Sequence, residues 1–98
     1  MSVLMEMAMF PIDGTSSKSA YVARIVKMIQ DSGHNYSLTP MGTIVETADM
    51  KQALELVEKS YELLEKDCQR VYATVKFDIR KGRIDALHQK VASVEEKL

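Results

Sequence analysis

Residues 3–10 set Val3, Met5, Met7 and Met9 in alternation with Leu4, Glu6, Ala8 and Phe10. The period of two predicts a strand with apolar groups on both faces and one charge, Glu6. It stops at Pro11, and Asp13-Gly14-Thr15-Ser16-Ser17 reads as a loop whose Ser16 or Ser17 caps a helix. Tyr21, Val22, Ile25, Val26, Met28 and Ile29 then recur at helical spacing until Ser32-Gly33 supplies a stop.

β-branched residues and Tyr36 flank a turn at Pro40-Met41-Gly42, which predicts a hairpin of strands over residues 35–39 and 43–48. Asp49 is placed to cap a second helix carrying Met50, Ala53, Leu54, Val57, Tyr61 and Leu64 three or four apart. Residues 70–80 alternate most cleanly, with Val71, Ala73, Val75, Phe77 and Ile79 on one side and Tyr72, Thr74, Lys76 and Asp78 on the other. After Lys81-Gly82, the residues Ile84, Leu87, Val91, Val94 and Leu98 keep the three-four spacing of a helix that packs on one partner through a narrow seam.

The order is βαββαβ plus a C-terminal helix, an α+β sandwich of the ferredoxin-like kind. Two helices then cover one face of the sheet and leave the other bare. With Met5, Met7, Met9, Val75 and Phe77 turned to the helices, the bare face carries Leu4, Glu6, Ala8, Phe10, Thr74, Lys76 and Asp78. Such a mixture is neither a solvated surface nor a core, and it predicts dimerisation of sheet against sheet.

Composition narrows the partners. The 98 residues are taken as one domain, 1–98, small enough for oligomerisation to add stability. Thirteen Lys and Arg against 14 Asp and Glu give a net charge of −1, which offers no general attraction to nucleic acid or to an anionic membrane surface. The start has no basic signal-peptide region and no apolar run approaches about 18 residues, so the expectation is a soluble, cytoplasmic protein. The single cysteine, Cys68, excludes an internal disulfide and reads as structural.

Chemistry-bearing groups are few. Gly14-Thr15-Ser16-Ser17-Lys18-Ser19 lacks the spacing of a phosphate loop and reads first as helix capping, with a ligand contact as the alternative. Glu6, Glu46 and Asp78 are strand carboxylates that need partners, either an ion-pair network with Lys76 and Arg80 or a cationic or amino-bearing ligand. His34 and His88 have no second ligand at metal spacing, so no metal is expected, and no nucleophile has a recognisable base beside it.

Three stretches, Met5-Glu6-Met7-Ala8-Met9-Phe10-Pro11, Tyr36-Ser37-Leu38-Thr39-Pro40-Met41-Gly42-Thr43 with Glu46, and Val75-Lys76-Phe77-Asp78-Ile79-Arg80, together resemble one family. It is the small thiamine-binding protein family with a ferredoxin-like fold, long catalogued as uncharacterised, and Lys90-Val91-Ala92-Ser93-Val94-Glu95 also fits it. The resemblance spans nearly the whole chain. It implies protomers that pair through their sheets and assemble into homotetramers as dimers of dimers, with some members binding thiamine or its hydroxymethylpyrimidine part. It implies no catalysis and no cofactor.

Carried onto the matching strings, the resemblance nominates Ser37, Thr39, Thr43, Glu46, Lys76 and Asp78 as ligand contacts. A carboxylate such as Glu46 or Asp78 suits the thiazolium or the pyrimidine amino group, and Ser37 or Thr39 suits the ring nitrogens. With no tryptophan in the chain, stacking falls to Tyr36, Tyr72, Phe10 or Phe77, of which Phe77 is assigned to the core. The leading expectation is a non-catalytic carrier or sensor with its sites between sheets. The alternative is a structural or regulatory oligomeric module with no small-molecule ligand. An acyl phosphatase on this fold would need a phosphate loop that is missing, and an RNA-recognition module an aromatic pair that is missing.

Overall fold

The computed structural model describes residues 2–14 and 18–98. Its elements are β1 (Ser2–Pro11), α1 (Lys18–Asp31), β2 (Asn35–Thr39), β3 (Gly42–Thr47), α2 (Met50–Glu65), β4 (Val71–Arg80) and α3 (Ala86–Glu95). The strands form one antiparallel sheet in the order β2-β3-β1-β4, which is the ferredoxin-like arrangement with an added C-terminal helix. The proposed cap of α1 at Ser16 or Ser17 lies outside the described residues.

Register carries the period-two pattern across the sheet. Met5 stands beside Val45 on β3 and Phe77 on β4, so these side chains share the face covered by α1 and α2. There Val3, Met5, Val45, Ile29, Ala53 and Leu64 are fully buried, and Met7, Met9, Ile25, Leu56 and Cys68 complete the core. Asp49 caps α2 as its sequence position requires, its carboxylate accepting from the Gln52 amide at 2.8 Å. Gly33 follows α1 with a positive φ of 81°, the left-handed stop that only glycine adopts freely.

Two features of the edges differ from the sequence expectation. Phe77 faces the helix side but is 38% exposed, and Ile79 beside it is 49% exposed. The two large helices pack over β1, β2 and β3, whereas β4 leans mainly on β1 at the margin of the sheet, so its apolar side runs out from under the covering layer. The opposite sheet face is not wholly bare, because α3 crosses part of it and touches β1, β2 and β3.

Candidate functional site

The face opposite α1 and α2 presents Leu4 and Glu6 from β1, Ile44 and Glu46 from β3, Lys76 and Asp78 from β4 and Ser37 from β2. α3 reaches this face through Asp85, whose φ of 53° and ψ of 38° turn the chain back over the sheet. Asp85 makes no side-chain cap of its own. The cap comes instead from Glu46 across the sheet, whose carboxylate accepts from the Ala86 amide at 2.8 Å and the Leu87 amide at 3.0 Å. These are two of the amides that a helix start leaves without partners, and a carboxylate there also meets the positive end of the helix dipole. Ser2 Oγ donates to the same carboxylate at 2.5 Å.

Asp78 supplies the second tie. Its carboxylate accepts from Arg83 at 3.0 Å and from Lys90 at 2.7 Å, so one residue ahead of α3 and one within it are both held to β4. Arg83 also donates to the backbone oxygens of Ser2 at 3.2 Å and Asp78 at 2.8 Å. Burial pushes the Glu46 carboxyl up, but the donors from Ser2, Leu87 and Ala86 together outweigh it and hold the group below the usual carboxylate range. Asp78 is held low by its hydrogen bonds from Lys90 and then Arg83. Glu6 closes the row with an ion pair to Lys76 at 2.9 Å.

Between α3 and the sheet lies a cavity of about 750 Å³. Leu4, Ile44, Leu87 and Val91 give it apolar walls, and Tyr36, Ser37, Thr39, His88, Lys90 and Glu95 bring polar groups to its lining. The volume falls in the range of about 300–1,000 Å³ usual for small-molecule sites, and the mixture suits a flat ring with a few hydrogen-bonding atoms. A shallower depression lined by Glu6, Lys76 and Asp78 adjoins it, the two sharing Leu4 and Ile44. No three metal-ligating side chains come together among the described residues.

The six nominated residues therefore separate. Ser37 and Thr39 line the cavity, although the Thr39 hydroxyl is engaged in its own turn, donating to the Gly42 carbonyl at 2.8 Å and accepting from the Met41 amide at 3.2 Å. Glu46 sits at the start of α3, holding the helix that forms the cavity wall. Lys76 and Asp78 line the adjoining depression. Thr43 is buried on the opposite face, where with Thr39 it borders a smaller, mostly apolar cavity of about 200 Å³ beside α1, so the fold separates it from Ser37, Glu46, Lys76 and Asp78. Leu87, His88, Lys90 and Val91 were not nominated. The signal for Leu87 and Val91 was the three-four seam of the last helix, whose partner includes the sheet of its own chain, whereas His88 and Lys90 stand outside that seam.

The model of a family described as thiamine-binding protein matches residues 5–95. A UPF0045 protein of Methanothermobacter thermautotrophicus is 35% identical over 95 residues, covering 95% of this chain and 96% of that one. Another from Mycobacterium bovis is 31% identical over 98 residues, covering 100% and 96%. Among solved structures, a hypothetical protein of Methanocaldococcus jannaschii superposes with a TM-score of 0.85 at 23% identity, over 97% of each chain. A Thermotoga maritima protein, whose name proposes a role in thiamine biosynthesis or salvage, superposes with a TM-score of 0.81 at 20% identity, over 95% of this chain and 98% of that one.

Proposed function

The chain belongs to the thiamine-binding protein family, and on that premise we propose that it holds thiamine or a hydroxymethylpyrimidine-like molecule between α3 and the sheet, as a carrier or sensor that leaves the ligand unchanged. The observation that carries this reading is the cavity itself, with apolar walls from Leu4, Ile44, Leu87 and Val91 and an exposed Ser37 on its lining. Apolar walls bury an aromatic ring, while hydroxyl and carboxylate groups meet its amino group and ring nitrogens. The cavity is open on one side, and a second copy laid sheet against sheet closes it, within a tetramer built as a dimer of dimers.

A second reading keeps the assembly and drops the ligand. It draws on Val91 and Val94, exposed along α3, and on Leu98 just past its end, which offer apolar surface to another subunit.

Melting curves with and without thiamine, hydroxymethylpyrimidine and thiamine diphosphate, confirmed by calorimetry, separate the two. Ligand at about 100 times its dissociation constant adds about 2.7 kcal/mol per site, enough to raise the midpoint by roughly 10 °C. Mass spectrometry of the recovered ligand tests the absence of turnover. No shift with any of the three at millimolar concentration, in a folded oligomer, leaves the second reading standing.

A further inference from the structure

The end of β4, the turn after it and one face of α3 border a pocket of about 440 Å³, lined by Arg80, Arg83, Ala86, Gln89, Lys90 and Ser93. It shares Ala86 and Lys90 with the larger cavity, but its other walls come from the β4 end rather than from β2. On α3 the contributing positions lie three and four apart, which sets them along one face of the helix. Every polar side chain on this lining carries N–H or O–H donors, and no carboxylate lines it. We propose that the pocket binds a phosphate group, either free or carried as a monoester of a small molecule. Such a site needs no ligand in the larger cavity.

The charge balance carries the assignment. Arg80, Arg83 and Lys90 bring positive charge, and Asp78 is the carboxylate bonded among them, shared between Arg83 at 3.0 Å and Lys90 at 2.7 Å. The lining cations less this carboxylate leave a surplus of about two, the charge of a phosphate monoester near neutral pH. The chain as a whole carries −1, so the surplus is local. The Arg80 side chain has no ion pair or hydrogen bond among the described residues, which frees its guanidinium for paired bonds to phosphate oxygens. Arg83 is already fixed: its side chain is 12% exposed, and it donates to Ser2 and Asp78 through Nε, Nη1 and Nη2, leaving one Nη1 hydrogen over. Ser93 Oγ accepts from Lys97 at 3.4 Å, so a further cation stands at the rim and the hydroxyl hydrogen is left to donate. The volume lies within the range of about 300–1,000 Å³ usual for small-molecule sites, which leaves room for the group that an ester carries.

NMR titrations with sodium phosphate, glycerol phosphate and sodium chloride at matched ionic strength test this site. Both phosphates should shift the Gln89 side-chain amide and the Ser93 backbone amide saturably, and chloride should not. Tighter binding of glycerol phosphate assigns the pocket to an ester, and equal or weaker binding assigns it to the free anion. Arg80→Gln should weaken phosphate binding by about tenfold or more, since it removes a charged donor with no other partner. Lys59→Gln, which removes a charge exposed on α2, should titrate like the parent. Equal shifts with chloride, or an Arg80→Gln protein that binds phosphate as the parent does, overturn the proposal. If circular dichroism shows Arg80→Gln unfolded, Ser93→Asp decides, because it sets a carboxylate among the cations at an exposed position of α3. Loss of phosphate binding in that variant upholds the site, and parent-like binding refutes it.

Discussion

Replacing Glu46 by alanine should detach α3 from the sheet while leaving the core folded. Glu46 caps α3 in place of Asp85, and a lost cap costs about 1 kcal/mol, with a range of about 0.5–2. Loss of the negative charge at the helix start adds about 0.3–1 kcal/mol, toward the lower end because the carboxylate is partly open to solvent. The sum is about 1.3–2 kcal/mol, charged almost wholly to the α3 contact, because Val3, Met5 and Val45 lie on the other face of the sheet. At about 1.4 kcal/mol per decade, exchange protection of the α3 amides should fall by roughly eight- to thirty-fold, with the amides of β1 and α2 unchanged. Glu46→Gln keeps one carbonyl acceptor and should fall between. Hydrogen exchange followed by NMR makes the measurement. Unchanged α3 protection in Glu46→Ala refutes the capping role, and an equal loss throughout the molecule refutes the separation of α3 from the core.

Acid should act on the same attachment. Glu46 and Asp78 both have folded-state values below ordinary carboxylates, so their stabilisation is present above the unfolded values of about 4 and is lost as pH falls through the lower folded ones. The Ala86 and Leu87 amide resonances should therefore hold constant from pH 7 to 5 and move toward unstructured positions only below about pH 4. A transition above pH 5 contradicts that assignment. Gly42→Ala should lower the melting midpoint by several degrees, since φ is +155° and an added Cβ meets the Met7 carbonyl oxygen at 3.0 Å, a backbone atom fixed in β1. An unchanged midpoint in calorimetry counts against that contact. Val91→Trp should fill the cavity and weaken thiamine binding by more than about tenfold, with the apo midpoint within a few degrees of the parent. Full affinity in this variant, measured by calorimetry, moves the ligand elsewhere.

The element order was legible because each element's period is unbroken. Met5, Met7 and Met9 announce one face of β1, and Asp49 announces the start of α2 by the chemistry of its side chain alone. Even the separation of Thr43 from Glu46 was available from parity, since Thr43 and Val45 share one side of β3 and Ile44 and Glu46 the other. Grouping them by their common string in a family resemblance set that parity aside. What no local pattern carried was the reach of Glu46 to amides 40 and 41 residues away, because a backbone N–H is the same in every residue and leaves no mark on the sequence.

The exposure of Phe77 is the complementary case. Alternation shows which side of the sheet a strand residue faces, but not whether a helix extends over that part of the sheet. β4 has an alternating sequence like a covered strand and a position at the margin, and the two together leave Phe77 and Ile79 with an apolar environment on one flank only. Asp78 ties this margin to α3 through Arg83 and Lys90 of its own chain. The helix that walls the cavity and the strand at the margin of the sheet are in this way held together by one carboxylate.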